Sequence, residues 1–354
     1  MQNYSCPTCG AQLYWDATKQ CLHCQYCDSS FSPDDFTDDT LTPAKDTKVV
    51  ASDKLSDNTI VSETEDMVIY ECKTCGGEVV AQRTTMATVC PYCGEAVSMT
   101  TKSVGEFRPE LVIPFAREKK EIVQVFKEYV NKSFLTPAAF KKDNIVEKIQ
   151  GVFVPFYLHT VEDSARHVLT GEKTSHSRRG DDRVTTHKVY SLHIDADGKF
   201  DKLPTDAAKG IENDLMDALE PFVYKDLKPY NPAYMAGYVA EQKDDELITL
   251  QDRAKDRCES GMDGKAREAF ANYSSVMIVS KHHDFGKMES QYVMLPVWIL
   301  NVKHNGEKYK FAINGQTGKI VGKLPIDWGK FAAVCAGIFA ATEILSAFVL
   351  PMVL

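Results

Sequence analysis

Eight of the eleven cysteines in this 354-residue chain form two copies of one pattern, in which two Cys-x2-Cys pairs are separated by 14 residues. The first copy consists of Cys6, Cys9, Cys24 and Cys27. Adding 66 to each number yields the second copy, which consists of Cys72, Cys75, Cys90 and Cys93. Four thiolates at such spacing bind one ion tetrahedrally, and zinc is the usual occupant. The sequence therefore predicts two structural Zn2+ sites.

Each cysteine pair is followed by a residue that suits a tight turn. These residues are Gly10, Asp28, Gly76 and Gly94. Glycine readily adopts the left-handed backbone that closes such a knuckle, and a short hairpin would bring the two knuckles of each copy together. A site closed by four cysteines has no open coordination position, so we expect it to stabilise its module and to do no chemistry.

The first copy contains more donors than one tetrahedral ion uses, because Cys21 and His23 lie beside Cys24. The equivalent residues of the second copy are Ala87 and Val89, so we predict that Cys21 and His23 are not ligands. Spacing alone leaves open a register that pairs Cys21 with Cys24 and leaves the last cysteine spare. A thioredoxin-like redox couple is a further alternative, but four pairs in two matched sets favour zinc.

The charge of the chain is concentrated in its cysteine-rich third. The net charge is -9, and residues 1–103 contain 7 Lys and Arg against 15 Asp and Glu, a net charge of -8. Nucleic-acid-binding surfaces are normally basic, because neutralising phosphates supplies much of their affinity. A zinc-ribbon regulator that binds nucleic acid is therefore the less favoured function. The N-terminus lacks the features of a signal peptide, so we expect the thiols to be cytosolic and reduced.

Composition and hydrophobic periodicity divide the chain into five regions. They are zinc ribbon 1 at 1–31, an acidic flexible linker at 32–67, zinc ribbon 2 at 68–103, an α+β body at 104–327 and a hydrophobic tail at 328–354. The linker has few large apolar residues, which predicts that it is mobile and lets ribbon 1 range freely. A spacer with no such role is an equally good interpretation.

The body has patterns of both helices and strands. Helices are predicted over 117–134, 205–219 and 246–273, the first from apolar residues at helical spacing and the last with a kink or break at Gly261–Gly264. A strand over 151–161 leads into a long hairpin with a charged tip near 177–183. A four-strand meander is predicted over 275–280, 291–303, 308–313 and 319–323. These elements favour an α+β fold with antiparallel sheets.

No known catalytic motif is present in the body. The Gly-x-x-Gly-Lys segments that begin at Gly261 and Gly315 lack the full phosphate-loop spacing, and there is no nucleophile elbow or His-Glu-x-x-His motif, so we expect no enzyme activity. Five histidines lie close together in the sequence: His159, His167, His176, His187 and His193. They could form a metal or acid–base site on the hairpin, but exposed strand positions are the favoured interpretation, as for His282–Asp284.

The tail is long and apolar enough to predict a transmembrane helix. Residues 331–354 contain Thr342, Glu343 and Ser346 as their only polar residues, and lysines lie only on the side that precedes them. The positive-inside tendency then predicts a single-pass or tail-anchored protein at the cell membrane, with its bulk in the cytoplasm. Glu343 would cost about 3 kcal/mol at mid-bilayer unless paired. A buried amphipathic helix, or a helical hairpin that docks on another membrane protein, is the alternative.

Motifs throughout the chain together resemble one protein family. They are Cys6–Gly10, Cys90–Gly94, Ile113–Phe115, Gly151–Phe156, Leu295–Trp298 and Phe311–Gly318. The resemblance is to bacterial TFIIB-type zinc-ribbon proteins, misleadingly described as PriA-like primosomal helicases; this chain has no ATP-binding motif. Members are often encoded near SPFH/flotillin-like and phage-shock proteins, so the resemblance implies a membrane-associated zinc-ribbon adaptor or scaffold that recruits such protein partners.

Overall fold

The computed structural model of the chain describes residues 4–36, 109–142, 148–180, 182–241, 243 and 245–343. It describes the backbone alone for the strands within 49–98 and for residues 344–353.

The described elements include short strands in the first third, long strands in the body and four helices. The strands are β1 (Leu13–Asp16), β2 (Cys21–Cys24), β3 (Ser30–Phe31), β4 (Val49–Val50), β5 (Met67–Glu71), β6 (Glu78–Gln82), β7 (Thr85–Val89), β8 (Ala96–Ser98), β9 (Leu111–Val112), β10 (Gln150–Arg179), β11 (Asp182–Asp206), β12 (Lys228–Pro229), β13 (Val239–Glu241), β14 (Ser275–Phe285), β15 (Glu289–His304), β16 (Glu307–Asn314) and β17 (Ile320–Gly322). The helices are α1 (Lys119–Lys132), α2 (Asn213–Ala218), α3 (Leu247–Glu268) and α4 (Trp328–Val353).

Strand β10 organises the body sheet because it is long enough to pair with several strands on each edge. One edge pairs antiparallel with β15 over 150–160 and then with β14 over 163–172. The other edge pairs in parallel with β13 at 152–153 and then antiparallel with β11 from Phe156 to the hairpin tip. The sheet continues from β15 to β16 and β17, and through β9 to β12.

Both faces of the inner half of this sheet are buried. Along β10, Phe153 and Tyr157 belong to one apolar cluster, while Val154 and Phe156 belong to a second cluster on the opposite face. Side chains of a strand alternate between faces, so a continuous apolar run is what a strand covered on both sides requires. Helix α1 covers the first face through its buried apolar residues, and α2 contributes Met216 to the second.

The structure confirms a mixed α+β fold with antiparallel sheets, and several predicted elements with it. Helix α1 buries Ile122, Phe126 and Val130, whereas Phe134 lies beyond its end and is exposed. Helix α3 continues through Gly261 and Gly264, so the break predicted there is wrong. The two motifs centred on Pro155 and Pro296 are paired neighbours at the centre of the sheet.

Two further predicted elements of the body are wrong. The segment 205–219 is not one helix, because β11 keeps its pairing with β10 as far as Asp206 and α2 spans six residues. The four-strand meander is also incorrect, since β15, β16 and β17 pair in succession but β14 pairs with β10 instead of β15. In both cases the long edge of β10 offers hydrogen bonds that local sequence patterns do not reveal.

Helix α4 lies in the predicted tail. Every residue from 331 to 343 is exposed. Within the part of the chain that the structure describes, no helix combines the length and apolar character needed to cross a membrane. The end of the predicted span, residues 344–354, lies outside the residues whose side chains are described.

Candidate metal centre

The four cysteine sulfur atoms of ribbon 1 converge on one point. The Sγ atoms of Cys6 and Cys27 are 3.5 Å apart, as are those of Cys9 and Cys24, and all four lie within 4.8 Å of one another. Sulfur atoms at about 2.3 Å from a tetrahedral zinc ion are about 3.8 Å apart. This group could therefore hold one metal ion, and its donors suit zinc.

Both knuckles of ribbon 1 close as their turn residues predict. The backbone amide of Gly10 donates to the carbonyl oxygen of Cys6 at 2.8 Å, and that of Asp28 donates to Cys24 at 2.9 Å. The φ angles of Gly10 and Asp28 are 76° and 60°, in the left-handed region. The turns bring the two cysteines of each pair to the same side of the ribbon.

Strand β2 explains why Cys21 and His23 lie outside the four-sulfur group. Successive residues of a strand face opposite sides, so Leu22 and Cys24 point into the ribbon core while Cys21 and His23 point away and are half-buried. His23 instead contacts Asp28 and Ser30. This geometry matches the predicted register rather than its alternative.

Local hydrogen bonds favour the thiolate form of Cys27. The Cys27 sulfur lies 3.2 Å from the Ser29 hydroxyl. Hydrogen bonds from the hydroxyl and the backbone amide of Ser29 lower the pKa of Cys27 to about 6. Since the thiolate is the form that binds metal, Ser29 prepares Cys27 for coordination at neutral pH.

Ribbon 1 packs against the body, in contrast to the predicted freedom of this module. The indole nitrogen of Trp15 donates to the Phe115 carbonyl oxygen at 3.1 Å, and its backbone amide donates to Ala236 at 3.0 Å. Its ring packs edge-on against Tyr234, 5.0 Å between centroids. Asn231 also donates to the carbonyl oxygen of Pro33, two residues beyond the ribbon, at 2.9 Å. Trp15 is an apolar residue on the surface of the ribbon, and the body buries it. This burial favours a ribbon that is docked on the body over one that moves freely.

One strand pairing of the first copy recurs in the backbone of the second copy. In ribbon 1, Leu22 pairs with Phe31, and adding 66 to both numbers reproduces the pair Thr88 and Val97 between β7 and β8. Strand β7 also joins the body sheet, where Ala87 pairs with Ala240 of β13. The predicted ligands themselves lie outside the described residues: Cys72, Cys75, Cys90 and Cys93. One four-cysteine group is thus described, and the second site stays a prediction.

Similarity to one relative establishes the family of this chain. The uncharacterized protein YdjG of Bacillus subtilis strain 168 is 34% identical over 250 residues, which span 70% of this chain and 72% of that protein. The chain belongs to the YdjG family. No protein-family model matches the sequence, and no solved structure matches it.

Two of the five clustered histidines of this YdjG-family chain are buried, which corrects the prediction that all five are exposed. His159 and His167 lie on the part of β10 that other elements cover, while His176, His187 and His193 are exposed on the outer hairpin. His167 meets His283 of β14 and Asp263 of α3. Sequence reasoning missed this group because its members come from three elements and share no spacing.

The described cysteines outside the four-sulfur group differ in environment. Cys258 is buried on α3, where burial and the nearby charge of Asp163 raise its pKa to about 11. It is therefore a neutral thiol at physiological pH, which is a poor ligand and nucleophile. Cys335 is exposed on α4, and Cys21 is half-buried in ribbon 1.

His159 makes the stability of the body depend on pH. Its two ring nitrogens bond the hydroxyl groups of Ser290 and Thr205, each at 2.8 Å, and burial, assisted by the charges of Arg253 and Arg257, lowers its pKa to about 4. In the unfolded chain His159 binds a proton near its ordinary pKa of about 6.5, whereas the folded chain resists protonation until about pH 4. The stability that neutral His159 contributes is therefore present above pH 6.5 and is lost as pH falls through 4.

We expect the free energy of unfolding to fall by about 2 kcal/mol between pH 7 and pH 5 because of His159. Denaturant unfolding of the wild type and of His159→Asn at both pH values measures this contribution. It is the difference between the two proteins in how far the free energy of unfolding falls from pH 7 to pH 5. Equal pH dependence in the two proteins would contradict the assignment. His193→Asn, an exposed histidine of the same sheet, serves as the control.

Proposed function

We propose that this protein is a zinc-ribbon adaptor attached to the cytoplasmic face of the membrane through helix α4. The observation that carries the proposal is the surface of α4. The side chains of Phe331, Val334, Ile338 and Phe339 are all exposed, Ile338 and Phe339 by 60% and 67%. Contiguous apolar surface of this kind is unusual in water and marks a site of membrane or protein contact.

The residues at the start of α4 favour the membrane as the occupant. Trp328 is 72% exposed, and Lys330 follows it within the same turn. Tryptophan and lysine are typical of the boundary between headgroups and hydrocarbon, where one end of a side chain is wet and the other is apolar. The polar body then stays on the side of this boundary from which the helix starts.

Ribbon 1 supplies a surface for a protein partner. One side of the ribbon is buried against the body, while Tyr26, in the second knuckle, is 84% exposed. Exposed tyrosines are frequent at protein interfaces, since they combine apolar area with a hydroxyl group. The resemblance to TFIIB-type zinc-ribbon proteins extends this proposal to SPFH/flotillin-like or phage-shock proteins as the partners. The role of the zinc ions in the proposal is structural.

Vesicle flotation tests the attachment. We expect the full chain to float with vesicles of phosphatidylethanolamine and phosphatidylglycerol, and a variant that ends at Lys330 to remain at the bottom of the gradient. The double variant Ile338→Asp and Phe339→Asp should float much less, because each charge opposes burial in hydrocarbon. Val189→Asp is the matched control, since Val189 is 71% exposed on β11 of the hairpin.

Equal flotation of the full chain and of the variant ending at Lys330 would contradict the proposal. Crosslinking in native membranes tests the adaptor role separately, because Tyr26→Ala should weaken partner capture without changing flotation. A salt-dependent affinity for DNA would favour the nucleic-acid alternative instead.

A further inference from the structure

A buried cluster of histidine and aspartate side chains lies where α3 crosses β10 and β14. In the antiparallel pairing of these strands, His283 stands opposite Ala165, so it lies between Asp163 and His167 on one face of the sheet. Asp163 and His167 are 1% exposed, and the His283 side chain is 4% exposed. Helix α3 covers this face and contributes Asp263.

The helix can approach closely because its neighbour on β11 is a glycine. Gly198 pairs with Asp163, and a Cβ atom at Gly198 would lie 2.7 Å from the sulfur of Met262. The adjacent Asp263 is thereby brought down onto the two histidines.

Three ligand atoms of this cluster have the spacing of a metal site. The Nε2 atom of His167 lies 2.9 Å from Oδ1 of Asp263, and Nε2 of His283 lies 3.6 Å from the same oxygen. All three atoms lie within 4.8 Å of one another. Nitrogen and oxygen ligands at about 2.0–2.2 Å from a tetrahedral zinc ion are about 3.4 Å apart. One divalent ion fits between them with small side-chain adjustments.

The hydrogen bonding around the cluster is incomplete without an ion. Among the described residues, Nε2 of His283 has no hydrogen-bond partner, since 3.6 Å is too long for one, and Nδ1 of His167 and Oδ1 of Asp163 have none either. Buried polar atoms are nearly always bonded, so an unpartnered imidazole nitrogen that faces a carboxylate indicates a ligand between them.

Neighbouring groups hold two of the three ligands in the orientation that coordination requires. Nδ1 of His283 donates to Oδ2 of Asp163 at 2.8 Å, which leaves the Nε2 lone pair facing the cluster. Lys281 donates to Oδ2 of Asp263 at 2.9 Å, so Oδ1 is the oxygen that faces the two histidines. A carboxylate behind a ligating histidine is the usual support of a metal site.

The net negative charge of the cluster also favours binding of a cation. Asp163, Glu259 and Asp263 carry three negative charges, and Lys281, which pairs with the last two, carries one positive charge. The three carboxylates and Lys281 together have a formal charge of -2, which one divalent ion neutralises. Buried carboxylates are stable when they are paired or bound to metal.

We propose that His167, Asp263 and His283 bind a divalent transition-metal ion, with Asp163 and Lys281 as positioning residues. Two imidazoles and one carboxylate favour zinc or iron(II) over magnesium or calcium. Three protein ligands leave a coordination position for water, unlike the closed cysteine site. This inference is independent of membrane attachment and of any partner.

Metal content of the full chain tests the proposal, with Zn2+ as the probe. After equilibration with zinc and removal of free metal, we expect His283→Ala and His167→Ala each to hold one ion fewer per chain than the wild type. His176→Ala and His193→Ala, which change exposed histidines of the same hairpin, should keep the wild-type count. Asp163→Asn should weaken the affinity of this site by about 10- to 100-fold and spare the cysteine site.

Cobalt substitution separates the two kinds of site. Thiolate-to-cobalt charge-transfer absorption should persist in His283→Ala, while the weaker visible bands of a nitrogen and oxygen site disappear. Unchanged zinc content in His283→Ala would overturn the proposal. If the variants do not fold, X-ray absorption of the zinc-loaded wild type decides, since a zinc shell of sulfur alone would overturn the proposal and an added nitrogen and oxygen shell would support it.

Discussion

Cys24→Ser should release one zinc ion per chain and unfold ribbon 1. Cys24 is fully buried and its sulfur lies 3.5 Å from that of Cys9, so the variant loses a ligand at the centre of the module. Structural zinc contributes on the order of 10 kcal/mol to the folding of small modules, far more than the apolar cluster of so short a segment. Elemental analysis measures the loss, and limited proteolysis within residues 4–36 should become rapid.

Cys21→Ser is the matched control for this experiment. Cys21 lies three residues away on the same strand but faces away from the four-sulfur group, so the zinc count and the protease resistance should stay at wild-type values. Loss of an ion from Cys21→Ser, with retention in Cys27→Ser, would instead establish the alternative register.

Trp15→Ala should destabilise the docking of ribbon 1 on the body by about 3–5 kcal/mol, the usual cost of truncating a buried aromatic residue. The indole is 5% exposed, packs against Tyr234, and donates a hydrogen bond to the carbonyl oxygen of Phe115. Denaturant unfolding should show an early transition for the ribbon. The zinc count should not change, because Trp15 belongs to a different apolar cluster from Cys6 and Cys24.

Trp328→Ala provides the comparison for Trp15→Ala. Trp328 is 72% exposed at the start of α4, and an exposed substitution of this kind changes the free energy of unfolding by less than about 0.5 kcal/mol. Equal destabilisation by both variants would contradict the docking of ribbon 1 through Trp15.

The two cysteine-rich regions are joined to the body more closely than modules on a flexible tether would be. Strand β7 of the second copy pairs with β13, while Trp15 and Asn231 join ribbon 1 to the segment just before β13. Both cysteine-rich regions therefore meet the body around one short strand. A partner bound at ribbon 1 would be held in a fixed position relative to the body, and through α4 near the proposed membrane surface.

Local patterns were sufficient where a structural feature depends on neighbours in the sequence. The spacing of Cys6, Cys9, Cys24 and Cys27 predicts their convergence, because knuckle turns and a short hairpin bring them together within 22 residues. Helix α1 follows from apolar periodicity, and the inner part of β10 from a continuous apolar run. Each depends on a backbone geometry that a few residues specify.

The tertiary structure alone decided the features that depend on distant segments. Three such features are the extent of β11, the partner of β14 and the docking of Trp15. Each depends on a strand edge or an apolar surface that becomes available only when distant segments fold together, and composition does not encode this availability. The cluster of His167, Asp263 and His283 joins residues up to 116 positions apart, brought together by strand register and by the close approach of α3. The sequence by itself determined the donors of the cysteine site, whereas only the folded chain decided that two histidines and an aspartate meet, since their distances depend on packing between elements rather than on spacing within one.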